Sequence, residues 1–167
     1  MDILTGFLRY LLNRDASRDS FTVAARSCRE LHDWDCYAMA SNNLAALAEQ
    51  SKDYSAALAE YADALRLLPV ELDPKLVATI WNNMGRLQGA VGLFSASERS
   101  HTAAMQTYAR LGDCQGVRRS LMRAGNLLVH VGNLADAESD LARAASFDCA
   151  DLLALATAPA TSQATRR

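Results

Sequence analysis

The stretch Asp73–Gly112, DPKLVATIWNNMGRLQGAVGLFSASERSHTAAMQTYARLG, decides the fold, because its pattern returns 40 residues to either side. Asp33, Asp73 and Asp113 share that spacing, as do Leu44, Met84 and Ala124, Tyr54, Phe94 and Leu134, and Ala64, Ala104 and Ala144. The same capping, apolar and small positions at a fixed period mean that one unit is stacked on copies of itself. Such a unit cannot bury its apolar face alone and buries it against the next copy.

Each copy reads as two helices. In the quoted stretch they run from Asp73 to Val91 and from Phe94 to Leu111, divided at Gly92. The preceding copy places Ala40, Leu44, Leu47 and Ala48 on one stripe of a Cys36–Gln50 helix. Tyr54, Ala57, Leu58, Tyr61, Ala64 and Leu65 resume the period beyond Lys52 and Asp53. The third copy runs from Asp113 to Val131 and from Leu134 to Phe147, with Gly132 where the quoted copy has Gly92. A chain leaving a helix commonly turns through the left-handed conformation there, which costs glycine little. Asp33, Asp73 and Asp113 stand where a carboxylate accepts an amide hydrogen of the opening turn, and Pro74 takes the first helical position, where its missing N–H is no loss. Ala45, Gly85 and Gly125, with Ala57, Ser97 and Ala137, mark close helix crossings.

Shifting the frame to the N-terminus aligns Ser17, Phe21 and Ala24 with Ala57, Tyr61 and Ala64, so residues 1–32 read as a degenerate copy. Its first helix, Asp2 to Leu12, carries a broad apolar stripe suited to capping. The expected organisation is one domain over 1–157: a degenerate repeat 1–32, repeats 33–72, 73–112 and 113–148, a capping helix 149–157, then a flexible tail 158–167. Asp151 to Ala156, with Leu152, Leu153 and Leu155, is placed to cap the last repeat.

Composition agrees with an all-α fold: half of the 167 residues are apolar, with only 3 prolines and 8 glycines. A net charge of −2 gives no general reason to expect nucleic acid, which would favour a strongly basic face. No stretch approaches the roughly 20 apolar residues of a membrane span. Arg9 interrupts the opening helix, which also lacks a small-residue cleavage site, so a signal peptide is not expected. The four cysteines, Cys28, Cys36, Cys114 and Cys149, form no CxxC pair. They are expected as free thiols in a reducing cytoplasm, and no metal or cofactor is expected. His32, His101 and His130 are scattered, no nucleophile has a partner, and no glycine loop cradles a phosphate, so the chain is read as non-enzymatic. His101 takes the slot of Tyr61 and Leu141 and is expected to pack.

Trp81-Asn82-Asn83-Met84-Gly85, followed by Phe94, Ser97 and Ala104, resembles the tetratricopeptide repeat. Leu44, Ala45, Tyr54, Ala57, Tyr61, Ala64 and Pro69 match the same pattern one copy earlier, and Gly125, Leu134, Ala137 and Ala144 one copy later. Ser41 and Leu121 replace the tryptophan, Gln88 the tyrosine and His101 the aromatic. The usual period is about 34, so the extra residues lengthen either the helices or the turns. Longer repeats of this kind are similar to those of kinesin light chains and of spindle-orientation adaptors, the latter most in Leu111-Gly112-Asp113-Cys114-Gln115-Gly116. The resemblance implies an α-solenoid of antiparallel helix pairs wound into a right-handed superhelix, acting as a scaffold or adaptor for a protein or peptide partner.

In that geometry the first helix of each copy lines the groove. The candidate peptide-binding residues are Asn42, Asn43, Asn82, Asn83, Arg86, Arg119, Arg123 and Asn126. Asparagine amides donate and accept, which suits the backbone of an extended peptide, and Arg119 and Arg123, one turn apart, suit an acidic one. Asn83, Arg119 and Arg123 also match positions with which cochaperones of the family clamp a terminal carboxylate, but Asn42 and Ala46 do not complete that clamp. The alternative role is a structural subunit of a larger complex or a homodimer, joined through the terminal apolar helices.

Overall fold

A computed structural model describes residues 14–69 and 72–152. Seven α-helices make up the described residues: α1 (Arg14–Glu30), α2 (Trp34–Gln50), α3 (Tyr54–Leu67), α4 (Pro74–Ala90), α5 (Phe94–Arg110), α6 (Cys114–His130) and α7 (Leu134–Ser146). A 3₁₀ turn (Cys149–Asp151) follows. The fold class is all-α, as expected. The expected Asp2–Leu12 helix lies outside the described residues, as do all but the first residues of the expected cap and the tail beyond it.

Every helix starts 20 residues after the one before it, so the 40-residue period is two equal halves. Five of the seven helices are 17 residues long, and a three-residue turn separates most neighbours. The period exceeds the usual one because the helices are long, not because the turns are. The turns share one construction. His32, Lys52, Gly92, Gly112 and Gly132 each adopt a positive φ, between 56° and 83°. The next amide then reaches back five residues: Asp33 to the Cys28 carbonyl, Asp53 to Ala48, Leu93 to Gln88, Asp113 to Tyr108 and Asn133 to Leu128, all at 2.8–3.0 Å. This bond satisfies a carbonyl that the helix end would otherwise leave bare. The residue that supplies it then opens the next helix: Asp33, Asp53, Asp113 and Asn133 accept an amide hydrogen from the first turn, at 2.8–3.4 Å. Asp73 does the same for Leu76 at 2.9 Å. Leu93 cannot, so α5 begins without a side-chain cap.

The chain divides into two compact units, Met1–Leu76 and Val77–Arg167. In unit 1, α1 packs on α2 and α2 on α3. Ala24, Ala25, Cys28, Tyr37 and Ala40 form a core cluster flanked by Trp34, Leu44 and Leu67. Ala45, Ala57 and Ala64 are fully buried, so small residues let these helices approach closely. Tyr61, 1% exposed, buries its ring while its hydroxyl donates to Glu49 at 2.8 Å.

In unit 2, α5 packs on α6 and α6 on α7. Side-chain bonds join α4 to α5: Thr79 with Tyr108 at 3.0 Å, Ser97 donating to the Gly85 carbonyl at 2.6 Å and Ser100 to Gln88 at 2.7 Å. Ala78, Ala104, Met105, Tyr108, Ala109, Val117, Leu121 and Ala144 form the core, with Trp81, Phe147 and Leu152 against it. Burying each large apolar side chain of this cluster contributes roughly 1.5–3 kcal/mol. Leu152 therefore packs against the last repeat, while Leu153 and Leu155 lie outside the described residues.

All four cysteines are paired, Cys28 with Cys36 and Cys114 with Cys149, which corrects the expectation of free thiols. Cys28 and Cys36 flank the turn at His32, and that turn brings their Cα atoms to 5.7 Å. Cys149 reaches Cys114 because the chain after α7 folds back onto the start of α6, with the Cα atoms 5.4 Å apart. Both separations suit a disulfide. The cysteines thus give no support to the expected reducing cytoplasm. No helix among the described residues is long and apolar enough to cross a membrane.

Candidate functional site

Asn82 is the hub of unit 2. It sits mid-way along α4, 2% exposed, and a buried amide in such a place must satisfy both its oxygen and its nitrogen. Its Oδ1 lies 3.0 Å from His101 Nδ1 on α5, and its Nδ2 donates to Ser120 Oγ on α6 at 2.9 Å. Ser120 in turn donates to the Gly116 carbonyl at 2.9 Å. The Asn82 carbonyl accepts from Arg123 Nη1 at 2.9 Å. One residue thereby ties three helices together and holds an arginine in place.

The same contacts fix the charge of His101. Burial, and then the Arg123 guanidinium beside it, lower its pKa from 6.5 to about 4, so the ring is neutral near pH 7. A neutral ring beside an amide oxygen carries its proton on Nδ1 and leaves Nε2 as an acceptor. The expectation that His101 packs is met, at 3% exposure.

Next to this network lies a cleft of about 600 Å³ whose walls come from α4, α5 and α6. Arg86, Arg123 and His130 supply basic groups, Asn126 an amide, and Phe94 and Leu127 an apolar surface; none of its lining residues is acidic. The room exists because Gly89 and Ala90 end α4 with almost no side chain, and Gly92 follows in the turn. Arg123 is partly buried and anchored, while Arg86 is exposed. Such a site suits a ligand with an anionic group and an apolar part.

Of the eight candidate residues, Arg86, Arg123 and Asn126 line this cleft. Asn82 departs from the expectation of an outward-facing residue, since its amide is spent on His101 and Ser120 inside the packing. Asn83, next to it, is half-buried. Arg119 is exposed but does not line the cleft, so the companion of Arg123 there is Arg86 on another helix, not the arginine one turn away. Asn42 and Asn43 belong to unit 1, where both are half-buried and Asn43 Nδ2 donates to the Met39 carbonyl of its own helix at 2.8 Å. Phe94, Leu127 and His130 belong with the cleft as well. Phe94 and Leu134 recur at one repeat position, and that recurrence hides the fact that Phe94, 42% exposed, is only half used for packing.

Among the described residues no three or more histidine, cysteine or acidic side chains gather as a metal would need. Compared with protein-family models, with curated proteins and with solved structures, the chain matches none.

Proposed function

We propose that this chain is a non-enzymatic protein-binding module built from tetratricopeptide-like helix pairs, and that the unit 2 cleft holds an acidic segment of a partner protein. Support for antiparallel pairing comes from α4 and α5, where Thr79, Asn82 and Gly85 meet Tyr108, His101 and Ser97 in reverse order along the chain. The observation that carries the binding reading is the cleft itself, with Arg86, Arg123 and His130 around an apolar floor and no acidic residue in its lining. An extended peptide places a carboxylate on the arginines and an apolar side chain against Phe94 and Leu127, and Asn126 meets its backbone.

The test is a fluorescent peptide library, acidic and neutral, screened against the wild-type chain and against Arg86→Glu and Arg119→Glu, each first matched for helicity by circular dichroism. Acidic peptides held by wild type and Arg119→Glu but lost by Arg86→Glu carry the reading. Peptides lost equally with both, or with neither, retire it.

A further inference from the structure

Unit 1 holds a cleft of its own, of about 380 Å³, lined by residues of α1, α2 and α3. Arg18, Arg26 and Arg29 line it from α1, and all three are exposed. None of them makes an ion pair or a side-chain hydrogen bond among the described residues; Arg66, by contrast, is paired with Asp63 at 3.0 Å. In a chain of net charge −2, three guanidinium groups on one wall, none of them ion-paired among the described residues, are a local excess and not a reflection of composition.

Their spacing sorts them. Arg26 and Arg29 are about one turn apart, roughly 4.5 Å along the axis, and reach a common point. Arg18 lies eight residues before Arg26, about 12 Å away along α1. Between them Thr22 donates its hydroxyl proton to the Arg18 carbonyl at 2.8 Å and offers an incoming anion no donor. The wall therefore has a double cationic end and a single one. One guanidinium fork fills both oxygens of a carboxylate, whereas a phosphoryl group, with three terminal oxygens and nearly two charges, uses two forks at once. Across the cleft stands Glu60, half-buried, its pKa raised by burial and by Asp63 while the Ser41 hydroxyl acts in the opposite sense. A carboxyl there disfavours anions on its own side of the cleft and is able to accept hydrogen bonds.

We propose that this cleft receives a phosphorylated segment of a partner protein, with the phosphoryl group on Arg26 and Arg29 and an acidic side chain on Arg18. The distance of about 12 Å corresponds to three or four residues of extended chain between the two anions. The site is separate from the unit 2 cleft and stands or falls without it.

The experiment is a titration of the full chain, labelled at the arginine side chains, followed by nuclear magnetic resonance with N-acetyl-phosphoserine methylamide and with its glutamate counterpart. The Nε signals of Arg26 and Arg29 are expected to shift and saturate with the phosphoserine probe at a concentration at least tenfold lower than with the glutamate probe. Arg26→Gln should raise that concentration at least tenfold, and Arg66→Gln should leave it unchanged. Peptides with a glutamate three residues before or after the phosphoserine come next. One of the two should bind at least fivefold tighter than the phosphoserine probe alone, and Arg18→Gln should abolish the gain. Equal responses to phosphoserine and glutamate, or shifts that rise without saturation at every arginine, would overturn the proposal. So would inorganic phosphate saturating the same two signals as tightly as the better peptide, which would make this a site for the free anion.

Discussion

His101 Nδ1 lies 3.0 Å from Asn82 Oδ1, 19 residues earlier in the chain, and both side chains are almost completely enclosed. The bond needs a proton on Nδ1, and burial together with Arg123 keeps the ring in its neutral form by lowering the pKa to about 4.

A depressed histidine pKa has a definite sign in stability. Above about pH 6.5 the ring is neutral in both the folded and the unfolded chain, and nothing is lost. Between pH 6.5 and 4 the unfolded chain takes up a proton that the folded one refuses, so stability falls as the pH falls. The loss approaches roughly 3 kcal/mol at pH 4. Urea unfolding at pH 7, 6, 5 and 4 should show this decline, and His101→Leu, although less stable at pH 7, should remove this part of it. An unchanged slope in His101→Leu would place the acid sensitivity elsewhere.

Gly85 faces the same ring from α4. A Cβ there would stand 2.9 Å from His101 Cε1 and 3.1 Å from Ser100 Cβ. Gly85→Leu should therefore cost more than about 2 kcal/mol by overpacking, and Gly85→Ala less, because the imidazole edge has only a few tenths of an ångström to yield. Thermal melts of the two variants check the order. A Gly85→Leu melt within a few degrees of wild type would remove the close crossing from the account.

Asp35 carries the opposite electrostatic sign. Burial first, then the Asp73 and Asp33 carboxylates, raise its pKa, and its Oδ1 has no hydrogen-bond partner among the described residues. The charged form is thus a destabilising one that protonation relieves, so its penalty is present above the folded pKa and fades as the pH falls through it. Because solvent screens much of this repulsion, Asp35→Asn should raise stability at pH 7 only slightly, and by less at pH 4. Chemical unfolding at the two pH values measures the difference.

The two disulfides close loops of very different length, with cysteines 8 and 35 residues apart. On the chain-entropy account, removing Cys114–Cys149 with a double serine substitution should cost roughly 4 kcal/mol, against roughly 2.5 kcal/mol for Cys28–Cys36. Melting of the two variants under oxidising conditions gives the comparison. Equal losses would mean that local packing, not loop closure, sets their contributions.

The periodic architecture was legible because every signal repeated: Asp33, Asp73 and Asp113 all cap helices as their spacing indicates. The halving of the period was harder to see. His32 and Lys52 adopt the conformation that Gly92, Gly112 and Gly132 adopt, and neither residue type announces it. Site residues were legible only in part, since the outward side of a helix cannot be told from the side facing the next helix when both carry polar groups. Asn82 and Asn83 are adjacent and chemically identical, yet only Asn82 is enclosed by packing. Nor does sequence spacing reveal which arginine on a neighbouring helix will line the same cleft as Arg123. The cysteine pairs were hidden for a related reason: Cys149 meets Cys114 only after α7 has turned the chain back.

The strict 20-residue rhythm makes the length of the chain a constraint in itself. One residue added to or lost from a helix would rotate everything after it by about 100°, and a three-residue turn whose middle residue already has a fixed conformation cannot absorb that rotation. Among the described helices, only between α3, which ends early at Leu67, and Pro74 is the connection twice as long. Between the described helices, insertions and deletions should accordingly be survivable at that joint and hardly elsewhere, so a variant would be expected to change its length there or by a whole helix.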